Sequence, residues 1–281
     1  MVRYNLHQHS RFSDGKAEPE AYVRQALRLG FVAMGFAEHS PLPFPTAFSL
    51  KEEDVEAYVR ETARLKEMYA GQMALYRALE FDFIPSFSEN LNHWRNQMHL
   101  DYVVGSVHLV RPENSAGLWF IDGPDRKKYD DGLQNLFGGD IRKAVKTYFH
   151  QVNRMIETQH FEIVGHLDKI KMHNAGRYFS ESEKWYRDLV NETLWLIKEK
   201  NLVIEVNTRG RYKKRCDALF PDDETLAGVK NLNIPVVISS DAHRPDELDK
   251  QMDYAAKRLL ETGFRSVAFF DHGRWDEIPL V

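Results

Sequence analysis

Short apolar runs alternate with amphipathic stretches along the whole chain. Residues 2–6 read as a strand. Over 18–29 the apolar positions Ala21, Val23, Ala26 and Leu27 recur near one helical face, and Gly30 follows as a C-terminal stop. The next apolar run, 31–37, leads into a turn containing Pro41, Pro43 and Pro45, which cannot continue as helix. Helix is expected over 51–70. Strands are then expected at 73–83, 102–109, 162–165, 202–206 and 234–239, with helices at 141–158, 181–200 and 247–262. A last strand, 266–270, is expected to close the series. Alternation of this kind predicts parallel strands joined by helical crossovers. Seven or eight such units in 281 residues suit a barrel, and neither GxGxxG nor GxxxxGK[ST] occurs to support a doubly wound nucleotide-binding sheet. The expectation is a single α/β barrel domain over 1–281, with 111–140 as an irregular, lid-like insertion rich in Gly, Asp and Pro.

Composition narrows the function. Apolar residues make up 43% and charged residues 28%, the balance of a soluble globular chain. With 38 basic and 42 acidic residues the net charge is −4, which argues against a general nucleic-acid binder. Cys216 is the only cysteine, so no internal disulfide can form and a reducing compartment fits best. No apolar run approaches the roughly 18 residues of a bilayer span, and the chain from Met1 to His9 has no signal-peptide core. A cytoplasmic protein with a small-molecule partner, and neither nucleic acid nor membrane, is expected.

Six of the 12 histidines fall at or just beyond predicted strand ends: His7, His9, His39, His108, His166 and His243. The carboxylates Asp14, Glu38, Glu80, Asp168, Glu205 and Asp241 share those positions. In a parallel barrel all C-terminal strand ends open on one face, so side chains far apart in sequence converge there. His7 and His9, two apart on extended chain, point to the same side, and Asp241 with His243 repeats the spacing. A single strand-end histidine is usually a hydrogen-bonded surface residue. Two such pairs, with single histidines at three further strand ends, predict a metal centre. Nitrogen and oxygen donors without thiolate favour Zn, Mn or Fe. Asp168 is a candidate for orienting a ligating imidazole, whereas Glu205 and Asn207 fit a satisfied polar pair as well as a role in the site. Cys216 reads as a bystander thiol.

The segments His7-Gln8-His9, Asp14-Gly15, Glu38-His39, Glu80, Gly105-Ser106-Val107-His108, Gly165-His166-Leu167-Asp168 and Ser240-Asp241-Ala242-His243 resemble the successive motifs of the polymerase and histidinol phosphatase (PHP) superfamily. Order and spacing match from Met1 to about Arg244, and 101–108 with 205–208 are similar to the histidinol-phosphatase branch. The resemblance implies a distorted (β/α)7 barrel with two or three divalent ions (Zn, Mn or Fe) on its C-terminal face. One ion would be held by His7, His9, Glu80 and Asp241, a second by Asp14, His39 and His243, and a third by Glu80, His108 and His166. Asp14 stands where some relatives carry histidine, which leaves the metal open. The activity implied is phosphomonoesterase, and in this branch the cleavage of L-histidinol phosphate to L-histidinol and phosphate in histidine biosynthesis. The alternatives are another small phosphate (sugar phosphate, nucleotide or phosphotyrosine) or a non-catalytic, metal-stabilised accessory domain.

For such a reaction two cations about 3.5–4 Å apart clamp the phosphate and lower the pKa of a bridging water. Glu80 and Asp241 are then expected to hold the hydroxide, with Asp168 a candidate acid for the leaving group. Arg209, Arg211 and Lys213 follow the sixth strand and are candidate phosphate contacts, Arg209 foremost because it is nearest the strand end. Trp119, Phe120 and Asp122 in the insertion are candidates for the imidazole and ammonium of the substrate.

Overall fold

The computed structural model describes residues 2–113 and 115–280. Its strands are β1 (Arg3–Gln8), β2 (Phe31–His39), β3 (Ala74–Asp82), β4 (Tyr102–Ser106), β5 (Leu109–Val110), β6 (Trp119–Phe120), β7 (Ile163–Val164), β8 (Val203–Asn207), β9 (Val236–Ser239), β10 (Ser266–Asp271) and β11 (Arg274–Pro279). Seven of them form one parallel sheet in the order β1-β2-β3-β4-β7-β8-β9. Its two edges meet where Gln8 bridges Ala242 and the His9 N–H donates to the Ala242 carbonyl at 2.9 Å. The result is a nearly closed seven-stranded barrel in a single domain, distorted because its last seam is a bridge and not a ladder. Among the described residues no helix is long and apolar enough to cross a membrane.

The helices outside the barrel follow from amphipathic pattern and caps. The helix Ile141–Thr158 starts at Asp140, whose carboxylate accepts from the Lys143 N–H at 3.0 Å. It buries Val145, Tyr148, Phe149, Val152, Met155 and Ile156, each contributing about 1.5–3 kcal/mol by area. Tyr148 also donates to the Leu167 carbonyl at 2.9 Å, tying this helix to the turn that carries His166. Inside the barrel Tyr102 reaches from β4 to donate to the Leu6 carbonyl of β1. Gly35 makes room for it, since a Cβ there would lie 1.8 Å from the Tyr102 hydroxyl oxygen.

Three expectations are corrected. The run 266–270 does not close the barrel. It becomes β10 and pairs antiparallel with β11 across His272-Gly273, both at positive φ, as a two-residue hairpin loop requires. This hairpin stops the N-terminal mouth of the barrel: Tyr4 donates to the Ala268 carbonyl at 2.6 Å and Tyr76 to the Phe270 carbonyl at 3.0 Å. The segment 111–140 is not irregular either. Val110 and Trp119 pair between β5 and β6, and the helix Arg126–Phe137 follows. Gly132, which reads as a loop residue, lies inside that helix because the Trp119 ring would sit 2.2 Å from a Cβ there. Lastly, the helix expected from Glu247 begins at Met252, after Gln251 at φ +62. The helices Leu91–Met98 and Asp223–Asn231 were not anticipated.

Filling the position opposite Tyr102 should therefore be costly. Gly35→Ala is expected to destabilise the fold by about 2 kcal/mol through overpacking, read as a lowered urea midpoint. A midpoint equal to the parent's would show that the ring has space to move.

Candidate metal centre

Every barrel strand except β8 delivers a candidate ligand at or beyond its C-terminal end, and the nine converge. Glu80, near the end of β3, is the centre of the group. Its Oε2 lies 3.3 Å from His7 Nε2, 3.5 Å from His9 Nε2 and 3.1 Å from His39 Nδ1. Its Oε1 lies 2.9 Å from His166 Nε2 and 3.5 Å from His108 Nε2. Asp241 Oδ1 is 3.3 Å from His9 Nε2, and Asp14 Oδ1 is 2.9 Å from His243 Nε2 and 3.9 Å from His39 Nε2. Asp14 reaches the group because its loop doubles back at Gly15, where a Cβ would lie 2.1 Å from the His9 carbonyl oxygen. Asp241 adopts φ +50, a left-handed backbone that Asp tolerates better than most residues.

The far side of three of the rings, those of His7, His39 and His108, explains why they point inward. A carboxylate or carbonyl only accepts, so the imidazole nitrogen facing it carries the proton and the other nitrogen presents its lone pair. His7 Nδ1 donates to Glu205 Oε1 at 2.6 Å, whereas His243 Nδ1 accepts from Arg209 Nη1 at 2.7 Å. Asp82 orients two rings, accepting from His39 Nδ1 at 3.0 Å and from His108 Nδ1. Glu205 also accepts from the His166 N–H at 2.8 Å and from Asn207 Nδ2 at 3.1 Å. Spacing alone left Glu205 and Asn207 open; the geometry puts both directly behind the candidate ligands. Asp82 was missed, although its position two residues after Glu80 on one strand gave the same signal as His7 and His9.

Two pairs of Nε2 atoms face each other, His7 with His9 at 3.2 Å and His108 with His166 at 3.1 Å. Two ring nitrogens this close in a buried space repel unless a proton or a metal cation lies between them. Three subsets have donor atoms within 4.8 Å of one another: His9, Asp14, His39 and His243; His7, His9 and Asp241; and His39, Glu80 and His108. The donor chemistry therefore fits divalent metal ions held by imidazole and carboxylate.

Other expected site residues divide. Arg209 is buried at the cleft wall, its Nη1 donating to the Asp241 carbonyl at 2.6 Å. Arg211 turns away, stacking 4.0 Å from the Tyr254 ring centroid, and Lys213 pairs with Glu247. Asp168 does not contact the ligand rings: it pairs with Lys171 and accepts from the Asp222 N–H at 3.1 Å, and burial pushes its pKa up to about 6. Phe120 and Asp122 line the cleft over the cluster, a cavity of about 100 Å³, together with Phe48, Arg209 and Arg215. Trp119 does not, being packed on Tyr129 and Phe137 with its indole N–H donating to the Tyr129 carbonyl at 2.9 Å. Burial raises the Asp122 pKa, but the Lys169 ammonium, with His108 and Arg209, outweighs it and holds the carboxyl well below the usual range. Lys169 and Arg215 carried no signal in the sequence, since a loop lysine or arginine reads as solvated.

A parallel barrel with a buried imidazole and carboxylate cluster at its C-terminal face defines a metal-dependent hydrolase class of site. Residues 5–209 match the PHP domain family, and the chain belongs to that family as one of its enzymes. It is 28% identical over 253 residues to the histidinol-phosphatase of Bacillus subtilis, covering 85% of this chain and 91% of that one. It is 23% identical over 283 residues to the histidinol-phosphatase of Lactococcus lactis, covering 99% and 97%. The fold is shared with the histidinol phosphate phosphatase of Lactococcus lactis solved with Zn, L-histidinol and phosphate (TM-score 0.73, 21% identity, 98% of each chain). A structure from Listeria monocytogenes is similar at TM-score 0.79, with 22% identity over 88% of this chain and 98% of that one.

Two outcomes follow. Because Glu80 touches both halves of the cluster, Glu80→Ala should lose more than one metal ion per chain by elemental analysis; loss of one or none contradicts a bridging role. In the metal-free protein burial lowers the His39 pKa, but Glu80, Asp82 and Asp14 outweigh it and raise it to about 10. His39 therefore stabilises the metal-free fold fully below about 6.5, and this is lost as pH rises through about 10. Metal binding at pH 7.5 must then displace a proton, so adding Zn in weak buffer should acidify the solution; an unchanged pH would contradict the assignment.

Proposed function

We propose that this protein is a metal-dependent phosphomonoesterase that hydrolyses L-histidinol phosphate to L-histidinol and phosphate, for histidine synthesis. The observation that carries the proposal is the cleft over the cluster, where six of the nine candidate ligands, Asp14, His39, Glu80, His108, Asp241 and His243, meet the guanidinium groups of Arg209 and Arg215, the Asp122 carboxylate and the Phe48 and Phe120 rings. Two relatives that bear the name of this activity, aligned over most of their length, support it. So does the Lactococcus lactis structure, whose bound Zn, L-histidinol and phosphate occupy a protein of the same fold.

Two or three divalent ions, held by His7, His9, Asp14, His39, Glu80, His108, His166, Asp241 and His243, would act as Lewis acids on the phosphoryl group and make water nucleophilic at neutral pH. The chain's own groups bind and orient the substrate. Arg209 is fixed by the Asp241 carbonyl, and its planar fork suits two phosphate oxygens. Asp122 accepts the ammonium of the amino alcohol. Phe48 and Phe120, parallel within 12° and 5.8 Å apart, offer a flat apolar wall to the imidazole. The insertion that carries Phe120 and Asp122 acts as the pocket lid. Burial of the ligand set behind the cleft excludes bulk water, which strengthens every charge interaction inside.

Phosphate release from L-histidinol phosphate and a panel of phosphomonoesters, with protein loaded separately with Zn, Mn and Fe, tests the proposal. A preference of about a hundredfold in kcat/KM, on the order of 3 kcal/mol of transition-state discrimination, is expected. Comparable slow turnover of all esters would discard this substrate and keep the phosphoesterase. No turnover with any metal would discard both.

A further inference from the structure

Two lysines leave the turn after His166 and meet different surroundings. Lys171 has carboxylates of its own: it pairs with Asp168, and Asp222 is 3.2 Å away. Lys169 is just as buried, at 1% exposure, and has no such dedicated partner. Its ammonium stands 3.2 Å from Asp122 Oδ2 and 4.0 Å from Asp241 Oδ2. Asp241 belongs to the cluster, and its other oxygen lies 3.3 Å from His9 Nε2. Asp122 belongs to the cleft wall. The Phe220 ring lies beneath both amines, 5.5 Å from Lys169 and 5.6 Å from Lys171, and fixes where the Lys169 stem ends.

Taking an ammonium out of water is costly, and an apolar residue of similar volume would fill this space without that penalty. The charge is retained where both neighbouring carboxylates have another claimant, a metal ion for Asp241 and the substrate's ammonium for Asp122. Asp122 is also 3.9 Å from His108 Nε2 and 3.8 Å from Arg215 Nη1, so a carboxylate of the protein fills a pocket of positive potential beside the ligands. An anion brought by the substrate suits the same surroundings.

We propose that Lys169 is a catalytic residue of the reaction proposed above: its ammonium donates to a phosphoryl oxygen of the bound ester and in doing so releases Asp122 to the substrate's own ammonium. The exchange conserves charge. The phosphate takes the place of Asp122 beside Lys169, and the amino group takes the place of Lys169 beside Asp122. No covalent bond changes in this step. Lysine suits it as a compact charge with three donors. The substrate's identity rests on the proposed function, whereas the anion site does not.

The test compares metal-loaded parent, Lys169→Met, Lys169→Arg and the double variant Asp122→Asn/Lys169→Met. Inorganic phosphate binding is followed by calorimetry, hydrolysis of L-histidinol phosphate by kinetics, and metal content by elemental analysis. Lys169→Met is expected to keep its metal, bind phosphate at least about tenfold more weakly and lose kcat/KM, as removal of a charged hydrogen-bond donor implies. Lys169→Arg, which keeps the charge, should recover most of the phosphate affinity. The double variant should remain weak, because the cation is missing whichever side chain faces it. Parent-like phosphate affinity in Lys169→Met would overturn the proposal. Restored affinity in the double variant would also overturn it, reducing Lys169 to the counter-ion of Asp122, and so would loss of metal in Lys169→Met. If the parent leaves L-histidinol phosphate intact while phosphate binding still follows Lys169, the substrate falls and the anion site stands.

Discussion

One carboxylate, Glu80, lies buried with five imidazoles from four strand ends within 3.5 Å of its two oxygens. A group of this kind is stable only if positive charge enters it, because buried charges need compensation far more than exposed ones. Protons on the histidines can supply that charge in the metal-free protein, and divalent ions can supply it in the loaded one. The geometry of Glu80 also divides the cluster: Oε2 serves the His7, His9 and His39 side, and Oε1 serves the His108 and His166 side.

Around that constraint the rest of the chain acts as support. Asp82 and Glu205 each hold one or more ligand residues in place, and their own strands place them directly behind the rings they orient. The C-terminal hairpin stops the opposite mouth of the barrel, leaving the C-terminal face as the open end of the site. The insertion packs its own small core around Trp119 and so delivers Phe120 and Asp122 to the cleft from a firm base. Rigid placement of this kind is what lets a few polar groups discriminate a substrate.

The barrel was legible because its strands are apolar runs bounded by turns, and the candidate ligands were legible because they recur at strand ends with a two-residue period. What escaped did so for physical reasons. The strand 266–270 has the composition of a barrel strand, and only its antiparallel partner, whose side chains are largely exposed, shows where it belongs. Gly132 disguised a helix because the demand for a small residue came from Trp119, thirteen positions earlier. Lys169 and Arg215 gave no pattern, since their role depends on carboxylates that only the fold brings near. Arg211 and Lys213 resembled Arg209 in sequence, but the short helix Arg209–Tyr212 points only the first of the three toward the cluster.

The most direct test is anomalous diffraction from crystals of Zn-loaded protein, collected on both sides of the zinc absorption edge. The account predicts two or three anomalous peaks per chain, enclosed by His7, His9, Asp14, His39, Glu80, His108, His166, Asp241 and His243, with Glu80 touching more than one. A single peak, or peaks held by other residues with these nine side chains left hydrogen-bonded to one another, would contradict it.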